Sequence, residues 1–324
     1  MKILITGGAG YIGSHFVKLL IENHVELFII DNLSRGHQES IPKNVIFEKA
    51  DINDNQKLNS IFKKYKPDSV VHFAALAYVG ESVENPTKYY QNNVVGSFNL
   101  IKACSENEVE NFIFSSTCSI YGNPRKIPIA ENEPSNPINP YANTKFIIET
   151  ILKDFESKYG MKSVSLRYFN AAGASFDGSI GESHNPETHL IPLVMETALG
   201  KRKDIWVFGN DYNTKDGTCI RDYIHVEDLA EAHFKALRYL QIGNESTIIN
   251  LGTGNGNSVL EIIEMAKRIS KKKIDYVIAN RRQGDPAILV ASNEKAKKLL
   301  SWEPKYSIDD ILTTAWNWHS NPKF

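Results

Sequence analysis

The run Lys2-Ile3-Leu4-Ile5-Thr6-Gly7-Gly8-Ala9-Gly10-Tyr11-Ile12-Gly13 constrains this chain more than any other stretch. A short β-branched segment breaks into glycines, and apolar residues at helical spacing follow (Phe16, Val17, Leu19, Leu20, Ile21), so the order is strand, glycine-rich turn, helix. Glycine suits such a turn where side chains forbid the backbone angles and where a pyrophosphate must approach the main chain. The first amides of the helix and the positive end of its dipole then favour an anion. The spacing fits both Gly8-x-Gly10-x-x-Gly13 and Gly7-x-x-Gly10-x-x-Gly13. The next strand, Glu26 to Ile30, ends in Asp31, where the acid that binds an adenosine ribose is expected. A carboxylate there accepts from a free 2′-hydroxyl and repels a 2′-phosphate, which favours NAD over NADP. The plainer alternative is a structural turn followed by an ordinary acidic loop residue.

At 324 residues the chain has room for two domains. A net charge of −1 gives no electrostatic case for nucleic acid or an anionic membrane. No apolar run approaches the length of a membrane span, and no signal peptide is expected ahead of the first strand. Cys104, Cys118 and Cys219 share no metal-ligand spacing and fit a reducing, cytoplasmic compartment.

Further strands at 45–49, 69–73 and 111–115 alternate with helical patterns at 54–65 and 86–107. This order predicts an α/β fold with a Rossmann-type doubly wound parallel sheet. Ligands of such sheets lie at the carboxyl ends of the strands, so Asp51, Ile52, Phe73, Ala74 and Ala75 are candidates to flank an adenine and ribose. Asn85 and Pro86 supply the cap and first position of the long helix, and Gly96 inside it implies close packing. Beyond Asn170 the loops lengthen, which places a boundary there: 1–170 as the dinucleotide-binding domain and 171–324 as a smaller mixed α/β domain. Part of the latter, about 220–255, is expected to cross back to the first domain. Gly252-x-Gly254-x-Gly256 reads as a tight turn bringing the chain back towards that domain, because no acid-tipped strand follows it.

Tyr141 and Lys145 share one helix face. A tyrosine is a poor base at neutral pH unless an adjacent ammonium, a helix N-terminus and a nicotinamide cation favour the phenolate. So tuned, it removes a proton from a substrate hydroxyl while a hydride leaves. A solvated helix face is the plain alternative. Yet this is the one Tyr-x-x-x-Lys among fourteen tyrosines, and it opens the helix after the fifth strand. Thr117, at the end of that strand, offers a hydroxyl to orient substrate and phenol.

Through the glycine turn and Tyr141-x-x-x-Lys145 the chain resembles the extended short-chain dehydrogenase/reductase family. The blocks Gly80–Val83, Asn111–Thr117, Arg167–Asn170, Phe208–Tyr212, Asp216–Thr218, Arg221–Val226 and Arg281–Pro286 resemble its UDP-glucose 4-epimerase branch over nearly the whole chain. The resemblance implies NAD against Tyr11, Ile12, Asp31, Asn32, Asp51, Ile52, Phe73, Ala74, Ala75, Asn92, Thr117, Tyr141, Lys145 and Phe169, on the turn of Gly7, Gly10 and Gly13. It implies a UDP-sugar against Asn170, His189, Leu190, Phe208, Arg221, Tyr223, Arg282 and Asp285 in the second domain. The implied reaction inverts C4 of UDP-glucose or UDP-galactose through a 4-keto sugar, with Tyr141 as base, no metal and a homodimer built on helices 86–107 and 141–159. Alternatives within the family act on UDP-N-acetylglucosamine or a UDP-pentose, or are 4,6-dehydratases. The dehydratases carry carboxylates just after the active-site hydroxyl, where this chain has Cys118 and Ser119. A non-catalytic NAD-binding regulator would lack the Tyr or the Lys. Ala77 stands where some members place a Lys, and His189 where some place an Asn. Leu289 falls at the position that gates N-acetylated sugars, and its bulk is expected to favour the unmodified hexoses.

Overall fold

Strand after strand in the first half is apolar on both faces: Ile3 to Ile5, Leu27 to Ile30, Val70 and Val71, and Phe112 to Phe114 are all buried. That pattern requires cover on both sides, as in a parallel sheet between helix layers. The structure, a computed structural model, describes residues 2–282 and 285–324; Gln283 and Gly284 of the Arg281–Pro286 block lie outside the described residues. Its large sheet is built from β1 (Lys2–Thr6), β2 (Glu26–Asp31), β3 (Ile46–Lys49), β4 (Ser69–His72), β5 (Asn111–Thr117) and β6 (Lys162–Tyr168), with Thr247–Leu251 beside β6. Every pairing in it is parallel. From β1 the chain runs outward to β2 and β3 on one side and to β4, β5 and β6 on the other. A crevice therefore opens at the carboxyl ends of β1 and β4.

Helices Tyr11–Glu22 and Val226–Gln241 cover one face, where Phe16, Val17, Leu20, Leu229 and Leu237 pack with Ile3 and Ile5. Helices Asn55–Tyr65, Ser97–Glu106 and Pro140–Tyr159 cover the other through Leu58, Ile61, Leu100, Ile148 and Leu152. A separate apolar cluster gathers Val194, Met195, Ile262, Ile263, Ile311 and Leu312 from helices Leu190–Ala198, Val259–Ser270 and Ile308–Ser320. Among the described residues no helix is long and apolar enough to cross a membrane.

Two sequence expectations need correction. The helix at 86–107 is not uniform: Pro86–Tyr89 runs into a π-helical segment, Tyr90–Gly96, before Ser97–Glu106 resumes as α-helix. The wide turn directs Asn93 inward, where its side chain bonds both Leu76 N and Leu76 O at 2.9 Å, and a Cβ on Gly96 would lie 2.8 Å from Ile52 Cδ1. The 252–256 turn carries the chain away from the large sheet instead of towards it. Leu251 ends the edge strand, and Asn257–Ser258 already pairs antiparallel with Ile220–Arg221 in a small sheet.

Helix Pro140–Tyr159 starts where the Asn139 side chain accepts from Ala142 N at 2.8 Å with Pro140 at the first position, and it stops at Gly160 in the left-handed region. Its Glu149 is buried against β5 and β6. Glu149 Oε1 accepts from Ser116 Oγ at 2.6 Å and Arg167 Nε at 2.9 Å, while Oε2 accepts from Arg167 Nη2 at 2.5 Å. Glu149→Gln leaves the Arg167 charge buried without its partner and should cost about 3–5 kcal/mol, read as a lower urea midpoint. The double replacement Glu149→Leu/Arg167→Met should recover much of that loss, since both buried charges are then gone.

Candidate active site

The glycine turn closes the crevice. Gly7 has φ +76°, and a Cβ on it would lie 2.5 Å from Ala74 N. A Cβ on Gly13 would lie 2.2 Å from Gly7 O. Helix Tyr11–Glu22 begins at Gly10 with no side-chain cap, so its first amides are left for an external acceptor. The crevice above it is lined by Gly7, Gly10, Asp31, Asn32, Ile52, Phe73, Ala74, Ala75 and Asn92. Asp31 is buried, and burial raises its pKa; bonds from Leu33 N to Oδ1 at 2.8 Å and from Ala9 N to Oδ2 at 3.0 Å oppose that shift. Burial also acts to raise Asp51, but hydrogen bonds from Asn53 and Asn32 outweigh it and hold the carboxyl below its ordinary value. A turn that excludes Cβ atoms, an uncapped helix start and an acid at the end of β2 fit a dinucleotide.

Thr117 ends β5, and its Oγ1 accepts from Ser119 N at 3.1 Å and shares a hydrogen bond with the Tyr141 hydroxyl. The expected lowering of the Tyr141 pKa by Lys145 is not what the protein groups produce. Burial, with the nearby Tyr168, pushes the phenol above its ordinary value, and the Thr117 bond opposes this. Lys145 Nζ donates to Ser115 O at 2.8 Å and lies over the Tyr141 ring, 6.0 Å from its centroid. Burial brings its own pKa down to about 7, against the opposing field of Glu149.

The residues expected on the substrate side converge from distant parts of the chain. Ile220–Arg221 lies between Asn257–Ser258 and Ile288–Leu289, with Arg221 opposite Leu289. Arg221 is ion-paired with Asp285, and the Arg282 guanidinium lies 4.0 Å over the Phe208 ring. Tyr223 stands opposite Asn170 in a two-stranded parallel pair. Leu289 shares an apolar cluster with Phe169 and Cys118. His189 and Leu190 come from a separate segment at the start of helix Leu190–Ala198, with the His189 ring 6.4 Å from that of Tyr78. The Tyr11 hydroxyl donates to Gly173 O at 2.7 Å. The second glycine turn binds a carboxylate of the protein itself. Asp222 accepts from Thr253 N at 2.8 Å, Thr253 Oγ1 at 2.6 Å, Gly254 N at 3.0 Å and Ala291 N at 3.1 Å.

Sequence reasoning missed Ser34, Arg35 and Gly36, which also line the crevice. Arg35 lies 4.6 Å over the Tyr78 ring and donates to Asn185 O at 2.7 Å. It also missed Glu182, His184 and Glu187, which surround His189; their alternating His and Glu spacing was the available signal.

A doubly wound sheet with a Cβ-excluding turn, and a Tyr-x-x-x-Lys helix facing the hydroxyl at the end of its fifth strand, defines a dinucleotide-binding short-chain dehydrogenase/reductase architecture. Residues 4–315 match the family model described as GDP-mannose 4,6 dehydratase. A UDP-glucose 4-epimerase of Rhizobium meliloti is 49% identical over 319 residues, covering 98% of this chain and 97% of that protein. The crystal structure of UDP-glucose 4-epimerase from Brucella ovis in complex with NAD superposes with a TM-score of 0.95 at 47% identity, covering 97% of each chain. That of Bifidobacterium longum UDP-glucose 4-epimerase with NAD+ and UDP gives 0.94 at 36% identity over 99% of each. The chain belongs to the UDP-glucose 4-epimerase family.

Gly7→Ala combines positive φ with a backbone clash and should destabilise the fold by about 1–3 kcal/mol. Thermal unfolding of the purified variant checks this.

Proposed function

We propose that this chain interconverts UDP-glucose and UDP-galactose by inverting C4 of the sugar, using one tightly held NAD. The pairing of Tyr141 with Thr117 at the end of β5, next to the β4 strand that leads into the glycine-lined crevice, carries this reading. Gly7, Gly10, Gly13, Asp31, Asp51 and the crevice walls hold the dinucleotide. When bound, NAD would supply a hydride acceptor and a positive charge that favours the Tyr141 phenolate. Thr117 orients the phenol, and Tyr141 takes the proton from the sugar 4-hydroxyl. Burial makes the Lys145 ammonium and the Tyr141 phenolate each costly on its own, and opposite charges on the two would favour one another. Arg221 and Arg282 serve as charge-assisted donors to the diphosphate. With the UDP end held, a 4-keto sugar would be free to turn over, and Tyr141 would return its proton to the 4-oxygen when hydride came back to the other face. The absence of a carboxylate at Cys118 and Ser119 disfavours a 4,6-dehydratase, and the presence of both Tyr141 and Lys145 disfavours a non-catalytic regulator.

A cytoplasmic setting is supported by three buried, unpaired cysteines. A homodimer through the helices at 86–107 and 140–159 is supported by exposed Val95, Phe98 and Tyr159 on them.

Purified protein given UDP-galactose without added NAD should form UDP-glucose, followed by anion-exchange chromatography; absence of product with NAD supplied would sink the reading. Tyr141→Phe should lower kcat about 10²–10⁴-fold with UDP affinity kept. Lys145→Met should also lower kcat, and should move its ascending pH limb to higher pH, because the charge that favours the phenolate is gone. UDP-N-acetylglucosamine should react far more slowly than UDP-glucose, and Leu289→Ser should narrow the gap. Equal turnover of the two sugars by the native chain would remove Leu289 as the gate.

A further inference from the structure

We propose that Glu182, His184, Glu187 and His189 form a binding site for one divalent cation of the zinc type. Each offers one ligand atom, and the four atoms lie within 4.8 Å of one another. Two imidazoles and two carboxylates make a donor set suited to zinc. A tetrahedral ion with bonds of about 2.1 Å sets its ligands roughly 3.4 Å apart. The spacings here bracket that edge: His184 Nδ1 is 3.2 Å from Glu182 Oε1 and 3.6 Å from Glu187 Oε2, and His189 Nδ1 is 3.8 Å from Glu187 Oε1. His189 Nδ1 lies 2.5 Å from Glu182 Oε1, so this pair must open by about an ångström for the ion to enter. His189 is the most exposed of the four, at 45% of its side chain, and is the one free to do so.

An independent observation points to a ligand. The Glu187 side chain is only 6% exposed, and its Oε2, 3.6 Å from His184 Nδ1, is buried without a hydrogen-bond partner. Native proteins seldom leave such atoms unsatisfied, because each costs its desolvation energy. A cation bound by Glu187 Oε2 would satisfy it and would neutralise two carboxylates of which one, Glu182, is almost wholly buried. The groups around the cluster already hold it in place. Glu182 O accepts from Trp318 Nε1 at 2.8 Å, Glu187 Oε1 accepts from His189 N at 2.8 Å, and Arg35 fixes Asn185 O. The site lies outside the hydride chemistry. Its ion would pin the segment that leads into helix Leu190–Ala198 against Tyr11 and Tyr78, whose rings lie 6.3 and 6.0 Å from that of His184. Without an ion, two protonated histidines would neutralise the cluster instead, and that is the rival outcome.

Chelator-treated full-length protein is titrated with ZnCl2 against a chromophoric competitor, with thermal unfolding followed alongside. The native chain should take up one Zn2+ and gain thermal stability. Glu187→Gln and His184→Asn should each bind Zn2+ at least about tenfold more weakly, with a correspondingly smaller gain. Bound Co2+ should show the intense visible bands of a tetrahedral site in the native chain alone. Glu187→Gln keeps size and one acceptor, so the comparison stands even where His184→Asn fails to fold. No Zn2+ uptake by the native chain, or equal uptake by native chain and Glu187→Gln, overturns the site and leaves a cluster neutralised by protons. Zn2+ uptake is read without turnover, so this result is separate from the fate of the epimerase reading.

Discussion

Everything in this molecule is arranged about one close approach, that of Gly7 at the end of β1 to the backbone of Ala74 just beyond β4. The two neighbouring strands diverge in connection there, and the space between their ends becomes the crevice. Only a residue without Cβ and tolerant of positive φ permits the contact. The same turn brings Gly13 against Gly7 O and aims the start of the first helix into the crevice. Any side chain at either glycine would separate strand from helix and fill the place where an anion is held.

The catalytic helix is set by a second constraint. Tyr141, Lys145 and Glu149 recur every four residues, so one helical face carries all three. Glu149 is clamped by Arg167 and Ser116, which fixes the rotation of that face relative to β5 and β6. Lys145 then has nowhere to point but into the sheet, against Ser115 O and 5.0 Å above the Phe114 ring. Its depressed pKa and the raised one of Tyr141 have one cause, the removal of both from water. Burial thus keeps the base unionised until positive charge arrives beside it.

The large sheet and its crevice were legible because their signals are local. An apolar run, a glycine turn and an acid at the next strand end can each be read within a few residues. The helix start at Asn85-Pro86, where the Asn85 side chain accepts from Lys88 N, was legible for the same reason. The strand Tyr276–Ala279 was not, since it forms only by pairing with Ile205–Phe208, far away in the chain. Nor was the π-helical segment, which answers to Leu76 and Ile52 and not to its own composition. Arg221 and Arg282 read as surface charges by composition alone; only the family resemblance singled them out.

The sequence by itself determined the doubly wound order, the glycine turn with Asp31, and the shared helix face of Tyr141 and Lys145, because backbone periodicity and turn stereochemistry are properties of short segments. Tertiary structure decided the rest. It directed the 252–256 turn away from the large sheet and tied its amides to Asp222, brought Leu289 beside Cys118 and Phe169, and raised the Tyr141 pKa that its neighbour was expected to lower. It also gathered Glu182, His184, Glu187 and His189 around one point. Burial and charge proximity depend on which segments meet, and no single segment carries that information.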